Sequence, residues 1–169
     1  GILWIIMFFG AMTGLSKSFV SEEERGTYLL LQLTTNPSSV YFGKLIFNIL
    51  LCIALNVLAV ILLLTFISSI QIGNFLIFSL IIFFGSISIA SATTIISALI
   101  AKANSKNALF PVLSFPVLLP IIILGIQVTN HSFEGSDFSA VQSDLQIIIS
   151  FTGIMIVASY FLFEFVWKE

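Results

Sequence analysis

A chain of 169 residues that is 59% hydrophobic and only 8% charged cannot cover its surface with polar groups as a soluble domain does, where about a quarter of residues are charged. Six Lys and Arg against eight Asp and Glu give a net charge of −2, and so few, scattered basic groups exclude a face that tracks nucleic-acid phosphates. The single cysteine, Cys52, lies in an apolar run, which excludes a disulfide framework and any CxxC chemistry.

A helix that crosses roughly 30 Å of hydrocarbon needs about 20 apolar residues. Five runs read as such helices: 1–16, 45–67, 75–101, 107–128 and 147–166. They are continuous and lack the two-residue alternation of a barrel strand, so the expected fold is an all-α integral membrane bundle. The first run has neither the basic start nor the small-residue cleavage site of a signal peptide. It opens in apolar sequence at Gly1, which suggests that the chain extends further toward its N-terminus. Trp4 and Trp167, near the two ends, are expected to anchor at the membrane interface.

Residues 17–44 (KSFVSEEERGTYLLLQLTTNPSSVYFGK) are too polar to cross lipid. Ser21 and Glu24 fit a capping box, and Glu22, Glu23 and Glu24 favour the positive end of a helix dipole. A helix is therefore expected to start near Glu22 and to continue through Leu29, Leu30, Leu31 and Leu33, weakened at Gly26. Asn36 and Pro37 suit the cap and first position of a second helix, expected to run through Lys44 into the next span. The stretch reads as a compact elbow; the plainer alternative is an amphipathic linker.

The connectors set the orientation. Lys17, Arg25 and Lys44 fall in the first, Lys102 and Lys106 flank the third, and Lys168 follows the last run, while 68–74 and 129–146 hold no Lys or Arg. Five alternating helices place all six basic residues on one side. The positive-inside rule makes that side cytoplasmic, with Gly1 outside and the C-terminus inside. The polar segment 129–146 reads as an exterior loop carrying the only histidine, His131; haem-iron ligation is its sharper reading and an exposed loop histidine the plainer one.

Within the spans, Pro111, Pro116 and Pro120 share one run, and each removes a backbone hydrogen bond. That suits either a hinge facing a pathway or a fixed kink. Ser86, Ala90, Thr94 and Ala98 recur at helical spacing, as do Gly10 and Gly14, and allow close helix packing. Asn48, Asn56 and Gln127 are the amides of the spans. Ionisable groups are absent from the span interiors, and there is no paired carboxylate, Ser-His set, metal-ligand spacing or P-loop. The chain therefore reads as neither an enzyme nor a self-powered pump.

Four stretches together resemble the CcmB family, the haem exporter protein B of cytochrome c maturation. Residues 1–19 (GILWIIMFFGAMTGLSKSF) resemble its second span. Glu24-Arg25-Gly26-Thr27 followed by Leu29 to Leu33 resembles its cytoplasmic loop. Val40-Tyr41-Phe42-Gly43-Lys44 resembles the lead-in to its third span. Residues 113–125 (LSFPVLLPIIILG) resemble its proline-containing fifth span. The resemblance covers nearly the whole chain and implies an ABC-2 type permease with six spans when intact. It implies partners: an ATP-hydrolysing subunit, CcmA, and the haem-handling proteins CcmC, CcmD and CcmE, with the permease as a homodimer in a bacterial inner membrane. It makes Glu22, Glu23, Glu24, Arg25, Gly26 and Lys44 candidates for coupling to the ATPase, with haem as a handled ligand rather than a bound cofactor. Other substrates for the same fold, such as a lipid-linked glycan or a drug, and a non-transporting scaffold are the competing expectations.

Overall fold

The computed structural model describes residues 1–16, 25–101 and 106–168. Among these residues six helices follow in chain order: α1 (Ile2–Leu15), α2 (Tyr28–Thr34), α3 (Pro37–Phe66), α4 (Phe75–Ile100), α5 (Lys106–Glu134) and α6 (Phe138–Lys168). No strand occurs among the described residues. Among the described residues four helices are long and apolar enough to cross a membrane, at Pro37–Phe66, Phe75–Ile100, Ala108–Glu134 and Phe138–Lys168. With 14 residues, α1 spans about 21 Å at 1.5 Å per residue, short of the roughly 30 Å core.

The bundle is built around α4, which packs against α1, α3, α5 and α6. Every residue from Ser88 to Ala98 is buried. The local sequence SIASATTIISA explains how: small side chains let neighbouring backbones come close, and a helix that meets neighbours all round is buried all round. Ser86, Ala90, Thr94 and Ala98 are all buried there. Gly14 meets Leu55 of α3, 3.0 Å from the place its Cβ would take, whereas nothing lies within 4 Å of Gly10. The expected glycine pair on α1 thus makes its close approach at one position only.

The two ends of the bundle are each tied by polar contacts. At one end the Ser97 hydroxyl donates to the Ser16 carbonyl, and α2 and the start of α3 meet the end of α6. This end carries Arg25 and Lys168. At the other end the chain closes through Asn74. Its backbone N–H donates to the Ser132 carbonyl at 2.7 Å, its side-chain amide donates to the Ser136 carbonyl at 3.1 Å, and its side-chain oxygen caps α4 at Ile77. A Cβ on Gly73 would stand 2.5 Å from the Gly135 nitrogen, so the two connectors touch backbone to backbone.

Several sequence expectations change. Segment 129–146 is not a loop: α5 runs to Glu134 and α6 begins at Phe138. The turn between them is set by Gly135 at φ +72° and by a Ser136 N–H to His131 carbonyl bond of 3.0 Å, the six-to-one bond of a Schellman stop. Thr129, Ser132, Val141 and Leu145 within it are buried, so the segment is polar helix ends packed on the bundle and not unwound chain. Nor does one helix run from near Glu22 through the leucines. Gly26 takes φ +68°, outside the helical region, and α2 begins afresh at Tyr28. The capping residues Ser21 to Glu24 lie outside the described residues. The next helix does start at Pro37, but Asn36 stands ahead of it in extended conformation without a side-chain cap bond.

Candidate functional site

The elbow expected at 17–44 consists, among the described residues, of a turn at Arg25-Gly26, the seven-residue α2 and the first turns of α3. So short a helix is not stable alone; its neighbours hold it. Leu31 packs against the core. The Gln32 side-chain amide donates to the Trp167 carbonyl near the end of α6. One turn into α3, the hydroxyls of Ser38 and Tyr160 lie 3.1 Å apart, and the Tyr41 ring packs on Phe163 at 5.4 Å between centroids. Phe163 in turn packs on Trp167 at 5.6 Å. The elbow is thereby fastened to α6 by polar contacts of Gln32, Ser38 and Tyr41 and by an aromatic cluster.

The opposite face of α2 is open. Leu29, Leu30 and Leu33 are 67%, 64% and 86% exposed, an apolar knob on a braced helix beside the basic end. Of the expected coupling residues, Glu22, Glu23 and Glu24 lie outside the described residues. Arg25 is exposed in the turn next to Gly26, just ahead of α2. Lys44 sits seven residues beyond Pro37, about 10 Å along α3, so it belongs to the helix wall rather than to the tip. Sequence reasoning found the leucines as the later part of the first helix. Gln32, Ser38 and Tyr160 went unremarked, since ordinary polar residues give no signal until partners 122 and 135 positions away come into contact.

Inside the bundle, α3 and α4 share a polar seam. The Asn48 amide donates to Thr94 Oγ1 at 2.9 Å and the Asn56 amide donates to Ser86 Oγ at 2.8 Å. Each hydroxyl sends its own hydrogen back to its helix, Thr94 to the Ala90 carbonyl and Ser86 to the Ile82 carbonyl, which leaves a lone pair for the incoming amide. The two pairs stand eight residues apart on both helices, the register of an antiparallel pairing. The hydroxyls of Ser88 and Thr152 also meet, one donating to the other, and join α4 to α6.

Trp4 and Trp167 are not interfacial anchors: they are 0% and 5% exposed. The Trp4 ring lies in a notch between α4 and α5 made by two glycines. A Cβ on Gly85 would stand 2.5 Å from the ring, and one on Gly125 closer still. Its N–H donates to Thr129 Oγ1 at 3.0 Å, and the Thr129 hydroxyl donates to the Gly125 carbonyl. A buried indole finds its partner here inside the protein rather than in lipid headgroups.

Helix α5 stays continuous through Pro111, Pro116 and Pro120, and all three prolines are exposed. His131 lies in the last turn of α5 rather than in a loop. Its Nδ1 is 3.2 Å from Ser136 Oγ and 3.9 Å from the Glu134 carboxylate. No group of three or more metal-ligating side chains comes together among the described residues. A groove of about 500 Å³ between α3 and α4 is lined by apolar residues such as Val57, Ile61, Phe78 and Phe83 and offers nothing to a charged ligand. A family model described as CcmB protein matches residues 1–166. No curated protein and no solved structure matches the chain.

Proposed function

The chain belongs to the CcmB family, and from that premise we propose that it is the permease subunit of an ATP-driven complex for cytochrome c maturation. In this reading an ATP-hydrolysing partner, CcmA, grips the elbow on the cytoplasmic side, and two copies of the chain form the membrane half. CcmC, CcmD and CcmE handle haem beside it. ATP hydrolysis then drives release of the haem-loaded chaperone on the outer side of the bacterial inner membrane, and the C-terminus lies in the cytoplasm. The ATPase supplies the energy, since the span interiors carry no buried acid or base to couple a proton gradient.

The observation that carries the reading is the elbow: an apolar knob, Leu29, Leu30 and Leu33, on a short helix braced against α6 by Gln32 and Ser38. A large exposed apolar patch on a braced element marks a protein contact. Glu22, Glu23, Glu24 and Arg25 supply charge just ahead of the knob in the sequence, and Gly26 supplies the bend. Lys44 stands on α3 behind it. Pro111, Pro116 and Pro120 serve as the hinge that the stroke bends.

The test is co-purification with CcmA from membranes. A Leu30→Glu, Leu33→Glu double variant is expected to lose at least about tenfold in association, because each buried leucine contributes about 1.5–3 kcal/mol and 1.4 kcal/mol is about tenfold in affinity. The Glu22→Lys, Glu23→Lys, Glu24→Lys variant is expected to weaken association less. Undiminished capture by both variants contradicts the docking. A scaffold is separated from a permease by ATP turnover, which the scaffold leaves unchanged when it is reconstituted with the ATPase.

A further inference from the structure

The residues of α5 divide by face. Phe110, Ser114, Leu118, Ile121, Gly125 and Val128 are buried against the bundle, whereas Pro116, Pro120, Ile123, Gln127 and Asn130 are exposed. At 100° per residue these five share one stripe with the exposed Val112, bordered by the exposed Leu119, opposite the buried set. That stripe is ill suited to lipid. Pro116 has no N–H for the Val112 carbonyl, and Pro120 has none for the carbonyl of Pro116, so two acceptors lose their intrahelical donors in the middle of a span. The Gln127 amide adds two donors and an acceptor further along the same face. In hydrocarbon each unsatisfied group costs several kcal/mol. Exposed positions on α3 look different: Ile46, Phe47, Leu50, Leu58 and Ile61 carry no polar side-chain atom.

We propose that this stripe of α5 is the surface on which a second copy of the chain packs. The proposal rests on the two-copy reading given above and says which face makes the pair. A two-fold axis along the membrane normal brings equal depths of the two copies together. Residues that meet their own counterparts must therefore be self-complementary. Gln127 and Asn130 are, because an amide both donates and accepts; Lys, Arg, Asp or Glu at those depths would not be. The flat rings of Pro116 and Pro120 let the two helices approach closely at those two positions. The carbonyls freed at Val112 and Pro116 then face the seam between copies, where water or a transported polar group reaches them, instead of acyl chains.

The test uses the full complex in native membranes, with Cys52→Ala as background and two differently tagged copies. Gln127→Cys and Asn130→Cys are expected to give severalfold more oxidatively cross-linked dimer than Leu58→Cys on α3, with the two tags captured together. If the tags are captured together but the α5 cysteines cross-link no better than Leu58→Cys, the two-copy reading stands and this face is wrong. Cross-links from Gln127→Cys to a different subunit overturn it as well. If the tags are never captured together, the two-copy reading fails, and the proposed interface with it.

Discussion

The α3–α4 seam and the outer stripe of α5 both place amides in membrane-spanning helices, and they treat them oppositely. Asn48 and Asn56 are buried and each donates to a hydroxyl of the same chain. Gln127 and Asn130 are exposed, along the face where two prolines also strip the helix of donors. Helix α5 shows the contrast within itself: on its inner face Thr129 accepts from Trp4, and on its outer face the neighbouring Asn130 points away from the bundle's own groups. Polar groups that hold this chain together are satisfied inside it. Those left on the outer stripe are satisfied by something else, and replacing one kind should damage folding while replacing the other damages assembly.

The largest effect is expected at Trp4. Trp4→Ala empties the notch between α4 and α5 and should destabilise the bundle by about 3–5 kcal/mol, read as a fall in melting temperature of the detergent-solubilised complex. Gly85→Ala, which drives a methyl into the ring from the other side, should cost about 1–3 kcal/mol. If Gly85→Ala melts with the wild type, the ring does not occupy that notch.

Next come the interior amides. Asn56→Leu removes one hydrogen bond and should cost about 0.6–2 kcal/mol, the range of hydrogen bonds between membrane helices. Asn56→Leu combined with Ser86→Ala should cost less than the sum of the two single changes, since both remove the same bond. Strict additivity contradicts the pairing. The smallest effect on folding is expected at the outer stripe: Gln127→Leu should leave the melting temperature within about 0.5 kcal/mol of wild type, as for an exposed position without intrachain partners.

How much of this was legible in the sequence follows from what each signal depends on. The long apolar helices were, because a bilayer imposes a length on them, and so was the start of α3, because Pro at a first helical position needs only local geometry. The small residues of α4 were legible as packing positions, but their amide partners were not: the match of 48 to 94 and 56 to 86 exists only once antiparallel register is set. The tryptophans misled because interface enrichment is a property of many proteins, whereas Trp4 answers to two glycines and a threonine 81, 121 and 125 positions away in this one. The polar stretch 129–146 misled because composition alone does not separate polar helix ends, here partly buried at Thr129 and Ser132, from a loop. The family resemblance came from strings of residues, and the match over residues 1–166 bears it out; the bracing of the elbow by Gln32 and Ser38 came from neither strings nor composition.

Side-by-side measurement of melting temperature and dimer fraction for Asn56→Leu and Gln127→Leu, in the same purified complex, probes the division between inner and outer amides most directly. The expected result is a crossed pattern: Asn56→Leu melts earlier yet its folded fraction still pairs, and Gln127→Leu melts with wild type yet pairs poorly. Two variants that lose stability and pairing in parallel would contradict the separation of folding groups from assembly groups.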